Sequence, residues 1–130
     1  DAARFLGGTL APEELYAAAD VYVLPTRYDP FANSTLEALA SGLPTLTSTT
    51  NGGGELISAG REGEVLDVAA GAAPLAEALA RWCEPERNAA GRRAARALAE
   101  EHGQERKFAQ AERLFLRQAA ARAEPAGARP

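Results

Sequence analysis

Asp29-Pro-Phe-Ala-Asn-Ser-Thr-Leu-Glu37-Ala-Leu-Ala-Ser-Gly42-Leu-Pro44 is the stretch on which the fold of this 130-residue chain turns. A turn at Asp29-Pro30 leads into a helix that Asn33 or Ser34 can cap; Gly42 stops that helix and Pro44 opens a strand. Asp29 and Glu37 stand eight positions apart across the loop-to-helix junction, with a run of backbone amides between them. The start of a helix offers unpaired N–H groups and the positive end of the dipole, where a phosphate sits well. Carboxylates beside such a place can grip the hydroxyls of a ribose or a sugar. Alone, Glu37 is an acid in the first turn of a helix and Asp29 a turn residue. Together they form a more specific pattern.

Upstream, Val21-Tyr-Val-Leu24 is an apolar, β-rich run stopped by Pro25, the signature of a buried strand. Before it, Ala11-Pro-Glu-Glu-Leu-Tyr-Ala-Ala-Ala19 opens a helix with Pro12 and two acids in its first turn, and Arg4-Phe-Leu-Gly-Gly8 reads as a strand running into a turn. Downstream come a strand at 44–48, a flexible glycine loop at Asn51-Gly-Gly-Gly54, and a last short strand at Glu64-Val-Leu-Asp67. After Ala72 the pattern is helical: Leu75, Leu79 and Trp82 share a face, a second helix covers 86–101, and Phe108, Ala111 and Phe115 mark a third. We expect one domain over 1–122 and a disordered tail over 123–130, where Pro125, Gly127 and Pro130 prevent regular structure.

Alternating strands and helices, with strands apolar along their length, predict an α/β fold: a Rossmann-like parallel sheet of about four strands with flanking helices and a helical C-terminus. In such sheets ligands bind beyond the carboxyl ends of the strands. The loops after Leu24 and Ser48 lie at those ends, so the Asp29–Glu37 motif and the Asn51–Glu55 loop are expected to converge on one crevice. The chemistry this suits is binding of a sugar nucleotide.

Composition narrows the choice further. Apolar residues make up 46% and charged residues 25%, an ordinary soluble balance. No apolar run is long enough to span a bilayer, and no signal peptide is expected. The single cysteine, Cys83, cannot close an internal disulfide, which favours the cytoplasm, and its helical setting reads as buried packing rather than a nucleophile. The net charge of −4 hides an asymmetry: residues 1–80 carry −8 and residues 81–122 carry +4. Solvated helix faces account for the basic part, and a surface for anionic lipid or a partner domain is the sharper reading. No nucleic-acid partner is expected.

Val21-Tyr-Val-Leu-Pro25, Tyr28-Asp-Pro-Phe31, Leu36-Glu-Ala-Leu-Ala-Ser-Gly-Leu-Pro44 and Asn51-Gly52…Glu55 together resemble the C-terminal, donor-binding domain of family 4 retaining glycosyltransferases. These have the GT-B architecture, two Rossmann-like domains facing across a cleft, and the resemblance covers roughly residues 3 to 118. It implies transfer of a sugar from a nucleotide-diphosphate sugar to a hydroxyl acceptor, with no cofactor and no metal ligands. By position, Glu37 would hold the ribose hydroxyls, and Asp29, the residue placed nearest the chemistry, would contact the transferred sugar. The amides of Asn33 and Ser34, following Phe31 and Ala32, would meet the sugar and diphosphate, with Asn51 and Gly52 beside them. Asp29 replaces the usual Glu, Ala32 the usual Gly, Asn33 a common aliphatic residue and Asn51 the first of two usual glycines.

The resemblance further implies a six-stranded sheet of order 3-2-1-4-5-6, of which this chain would hold strands 3, 4, 5 and 6. The basic side chains for the diphosphate and the acceptor-binding N-terminal domain would lie upstream, so the chain alone is expected to be inactive and prone to self-association through an exposed sheet edge. Acceptors of glycan, lipopolysaccharide or other cell-envelope type are compatible, as is peripheral contact with the inner membrane face. A non-catalytic nucleotide-sensing or interaction module, and a GT-B nucleotide-sugar epimerase, are the alternatives.

Overall fold

A computed structural model describes residues 3–8 and 11–123. Its order is α1 (Pro12–Ala18), β1 (Tyr22–Leu24), α2 (Asn33–Ala40), β2 (Thr45–Ser48), a 3₁₀ turn (Gly52–Leu56), β3 (Gly63–Leu66), a second 3₁₀ turn (Val68–Ala70), α3 (Ala73–Trp82), α4 (Pro85–Glu101) and α5 (Gln104–Ala123). Contacts divide the chain into two compact units, residues 1–99 and 100–130.

In the first unit the three strands lie parallel in the order β1-β2-β3, with Tyr22 opposite Thr45 and Thr45 opposite Gly63. Side chains alternate between the faces of a strand, and each face here meets its own helix. Leu46 packs with Ala78 and Trp82 of α3, joined by Val23, Leu66, Leu75 and Leu79. On the α2 side, Leu39 packs against Ala95 and Ala99 of α4. The β2 strand is buried at every position although three of its four residues carry hydroxyls. Those hydroxyls are satisfied by neighbouring carbonyls: Thr47 donates to Leu24 O at 3.0 Å and Ser48 to Thr26 O at 2.6 Å. Burial without that pairing would be costly.

The α/β class is as expected, but the sheet has three strands, not four. Arg4–Gly8 is irregular and Phe5 is 98% exposed. A strand exists only where a partner completes its ladder, and in the order the resemblance implies, this segment's neighbour would not be β1. Asn51–Gly54 also differs from the flexible loop predicted for it. It forms the 3₁₀ turn, with Gly53 and Gly54 buried. A Cβ on Gly52 would collide with the Pro30 carbonyl oxygen, so glycine lets this turn lie directly against the loop before α2. Gly42 does stop α2 as predicted: it takes φ +72°, and Leu43 N–H bonds to Ala38 O at 2.9 Å, closing a Schellman motif.

Cys83 is exposed, not buried. It follows Trp82 and so leaves the apolar face that Leu75, Leu79 and Trp82 share. Part of the basic surplus is structural rather than a solvated face. Arg92 of α4 donates to Ala19 O at 3.1 Å and Arg96 to Ala40 O at 2.6 Å, placing guanidinium groups on the negative ends of α1 and α2. The second unit is built on α5, whose Phe108, Phe115 and Leu116 are exposed. Of the tail predicted over 123–130, Ala123 closes α5, and 124–130 lie outside the described residues.

Candidate functional site

The loops after β1 and β2 meet at the carboxyl ends of their strands. Asp29 N–H bonds to Thr50 O at 3.1 Å, Gly52 N–H returns to Asp29 O at 3.0 Å, and Asp29 pairs with Asn51 as an isolated parallel bridge. Together they line a groove of about 680 Å³ bounded by Tyr28, Asp29, Thr50, Asn51, Gly52 and Glu55.

Asn51 organises this corner. It is 3% exposed. Its Oδ1 accepts from Gly53 N–H at 2.9 Å and Ala32 N–H at 3.4 Å; its Nδ2 donates to Thr47 Oγ1 at 2.8 Å and Thr35 Oγ1 at 3.4 Å. One amide thereby ties β2, the 3₁₀ turn and the start of α2 together. Neither Asn33 nor Ser34 caps α2 as expected; Asn51 instead anchors the backbone of Ala32, the residue before the helix. The helix is capped from Ala32 with no side-chain bond from its own flank. Asn33 and Ser34 are its first two residues.

The consequence is a sorted set of amides. Phe31 N–H is held by Asp29 Oδ1 at 3.0 Å, Ala32 N–H by Asn51, and Thr35 N–H by Ala32 O at 3.0 Å. The amides of Asn33 and Ser34 remain outside these contacts, at the positive end of α2, where the helix has no carbonyls of its own to offer them.

Glu37 lies exposed one turn further on and accepts a hydrogen bond from the Tyr16 hydroxyl at 3.0 Å. Tyr22 donates to Ser34 Oγ at 2.7 Å, and the two phenol rings meet edge to face at 6.0 Å. Burial above all, then the bond to Glu37, pushes the Tyr16 phenol up to about 12. Tyr22 is also raised, chiefly by burial. Both therefore act as donors at neutral pH. Sequence reasoning passed over these tyrosines and the Thr35–Thr47 pair. A signal was present: two phenols on half-buried elements each need an acceptor, and the motif supplies two.

The groove at Asp29 and Asn51 does not include Asn33, Ser34 or Glu37. Ala32 is buried, and Phe31 half-buried. A separate cavity of about 570 Å³, lined mainly by apolar groups of β2, β3 and α3, has Arg27 and Asp67 as its charged residues. Among the described residues no three His, Cys, Asp or Glu side chains gather closely enough to hold a metal ion.

Parallel strands, two loops knotted at their carboxyl ends and an open helix start define a Rossmann-like α/β sheet of the GT-B kind. The family model described as Glycosyl transferases group 1 matches residues 1–84, and the chain belongs to that family. It is 46% identical over 57 residues to the mannosylfructose-phosphate synthase of Agrobacterium fabrum, a match covering 42% of this chain and 13% of that protein. It is 41% identical over 64 residues to the GDP-mannose-dependent alpha-mannosyltransferase of Corynebacterium glutamicum, covering 47% and 16%. Among solved structures, the sucrose-phosphate synthase of Thermosynechococcus elongatus superposes with a TM-score of 0.75 at 27% identity, covering 82% of this chain and 27% of that one. The chain thus spans less than a third of each of these proteins.

Proposed function

We propose that the chain supplies the donor-binding part of a retaining glycosyltransferase, one that moves a hexosyl group from a nucleotide-diphosphate sugar to a hydroxyl acceptor. The observation that carries this reading is the open pair of amides at Asn33 and Ser34 beside the exposed carboxylate of Glu37. In it, the amides stabilise the charge developing on the leaving diphosphate while the sugar gains oxocarbenium character, by electrostatic preorganisation rather than proton transfer. Glu37 holds the ribose hydroxyls. Asp29, whose Oδ2 is left over from its turn with Phe31, reaches the transferred sugar. Gly52 and Asn51 hold the loop, and Phe31 and Ala32 set the backbone that presents the two amides.

The basic groups facing the diphosphate, the N-terminal domain and the acceptor, of glycan or cell-envelope type, come from outside residues 1–130. Among the described residues no helix is long and apolar enough to cross a membrane. The reading places the enzyme in the cytoplasm, with peripheral contact at the inner membrane face and self-association of the isolated chain at the free edge of β1. It needs no cofactor and no nucleic-acid partner.

The test is Glu37→Gln in the longer protein. Turnover is expected to fall at least tenfold, the effect of losing a charge-assisted hydrogen bond of about 1.5 kcal/mol or more. Unchanged turnover would contradict the role of Glu37. In the 130-residue chain itself, nucleotide titration followed by NMR is expected to show weak, millimolar binding and no transfer.

A further inference from the structure

Glu37 and Ser34 are exposed or half-exposed on a surface helix, where a side chain ordinarily samples several rotamers. Here each has one fixed neighbour, and both neighbours are tyrosines from outside the Asp29–Pro44 stretch. Tyr16 sits in α1 and gives its only hydroxyl hydrogen to Glu37 Oε2. That leaves Oε1, and the further lone pairs of Oε2, to accept from a vicinal diol. Tyr22 opens β1 and gives its hydrogen to Ser34 Oγ. An oxygen that accepts this bond keeps its own hydrogen for another partner. The rings lock one another edge to face, so the two hydroxyls are held as a pair.

Resting on the donor-site reading above, we propose that Tyr16 and Tyr22 are positioning residues for the two ends of the nucleotide. Tyr16 sets the Glu37 carboxylate for the ribose diol, and Tyr22 turns the Ser34 hydroxyl hydrogen outward to the diphosphate. The division of labour gives each tyrosine its own chemical signature. Loss of the Tyr16 hydroxyl matters only when the ribose carries its hydroxyls. Loss of the Tyr22 hydroxyl matters whatever the ribose carries.

The experiment titrates the chain and its Tyr16→Phe and Tyr22→Phe variants with uridine, guanosine and adenosine diphosphates and with their 2′,3′-dideoxy forms, read by NMR. Phenylalanine keeps both rings, so the fold is retained. Tyr16→Phe is expected to weaken binding of the ribonucleotide that the parent chain prefers by about fivefold, the size of one hydrogen bond, and to leave the dideoxy form unchanged. Tyr22→Phe is expected to weaken both forms alike. Adding Tyr16→Phe to Glu37→Gln should cost nothing more. Equal loss of both forms in Tyr16→Phe, or no loss in either, overturns the inference while the donor site stands. If the unaltered chain binds no nucleotide, the titration moves to the longer protein, and absence of binding there overturns the donor-site reading and this assignment with it. A readout independent of nucleotide is the contact itself: in NMR of the chain alone, Glu37→Gln should shift the Tyr16 ring resonances, and no shift there would refute the contact in solution.

Discussion

Two corners of one motif use their polar atoms in opposite ways. At Asn51 every donor and acceptor of the side-chain amide is spent on the fold, and the residue is buried. At Glu37 and Ser34, a few residues along the same helix start, each side chain keeps an exposed or half-exposed face and one tyrosine partner. The first corner is scaffold, and the second is the surface proposed above for a ligand. The lesson is that residue type does not separate the two: an amide that looks made for a phosphate is structural, while an ordinary surface glutamate, held by one tyrosine, keeps an oxygen toward solvent.

The largest expected effect breaks the scaffold side. Asn51→Ala strands two buried hydroxyls and two amides, and should cost about 3 kcal/mol in urea unfolding followed by Trp82 fluorescence. A loss below about 1 kcal/mol would show that water replaces the amide and that the corner is not rigid. Gly52→Ala comes next. Its Cβ meets backbone, the Pro30 carbonyl, so the two loops must part, and about 2 kcal/mol is expected by the same measurement. Glu37→Gln tests the opposite side. It should shift stability by no more than about 0.5 kcal/mol while weakening nucleotide binding, and a large stability loss would move Glu37 into the scaffold.

The smallest effect lies across the sheet, at a pair no ligand role touches. Glu64 accepts from Arg81 Nη2 at 2.7 Å and from Trp82 Nε1 at 3.0 Å. The bond from Arg81 above all holds its carboxyl below the ordinary glutamate range. A carboxyl lowered by folding stabilises the fold above its unfolded pKa and loses that contribution as pH falls through its folded value. Acidification from neutral should therefore destabilise the parent more than Glu64→Gln. The pair is partly solvent-exposed, so the difference is modest, and equal acid sensitivity of both proteins would remove Glu64 from the account.

Local chemistry was the legible part of the sequence. The apolar run before Pro25, the stop at Gly42 and the Leu75-Leu79-Trp82 face each carry their structure within a few residues. Arg4–Gly8 has the composition of a strand, but strand formation depends on a neighbour that composition cannot name. The start of α2 differs from expectation for a similar reason: Asn33 and Ser34 have the chemistry of a cap but lie inside the helix, and the residue before it is held by Asn51, from beyond β2. Cys83 was within reach, since one step beyond Trp82 turns away from the core face. The Tyr16–Glu37 and Tyr22–Ser34 contacts join elements distant in the chain, and spacing alone does not predict them.

The position of Asn51 also bears on the order of events in folding. Its partners Thr35, Ala32 and Thr47 are brought together only when β2 has paired beside β1 and the connecting helix has settled between them. Both strand pairings close through long crossovers, which are the slow step in forming a parallel sheet. The amide is then expected to lock after that step. Removing it should leave the refolding rate nearly untouched and appear almost wholly as faster unfolding. The corner that holds the two loops together acts as a latch on the finished sheet, governing how long the native state lasts.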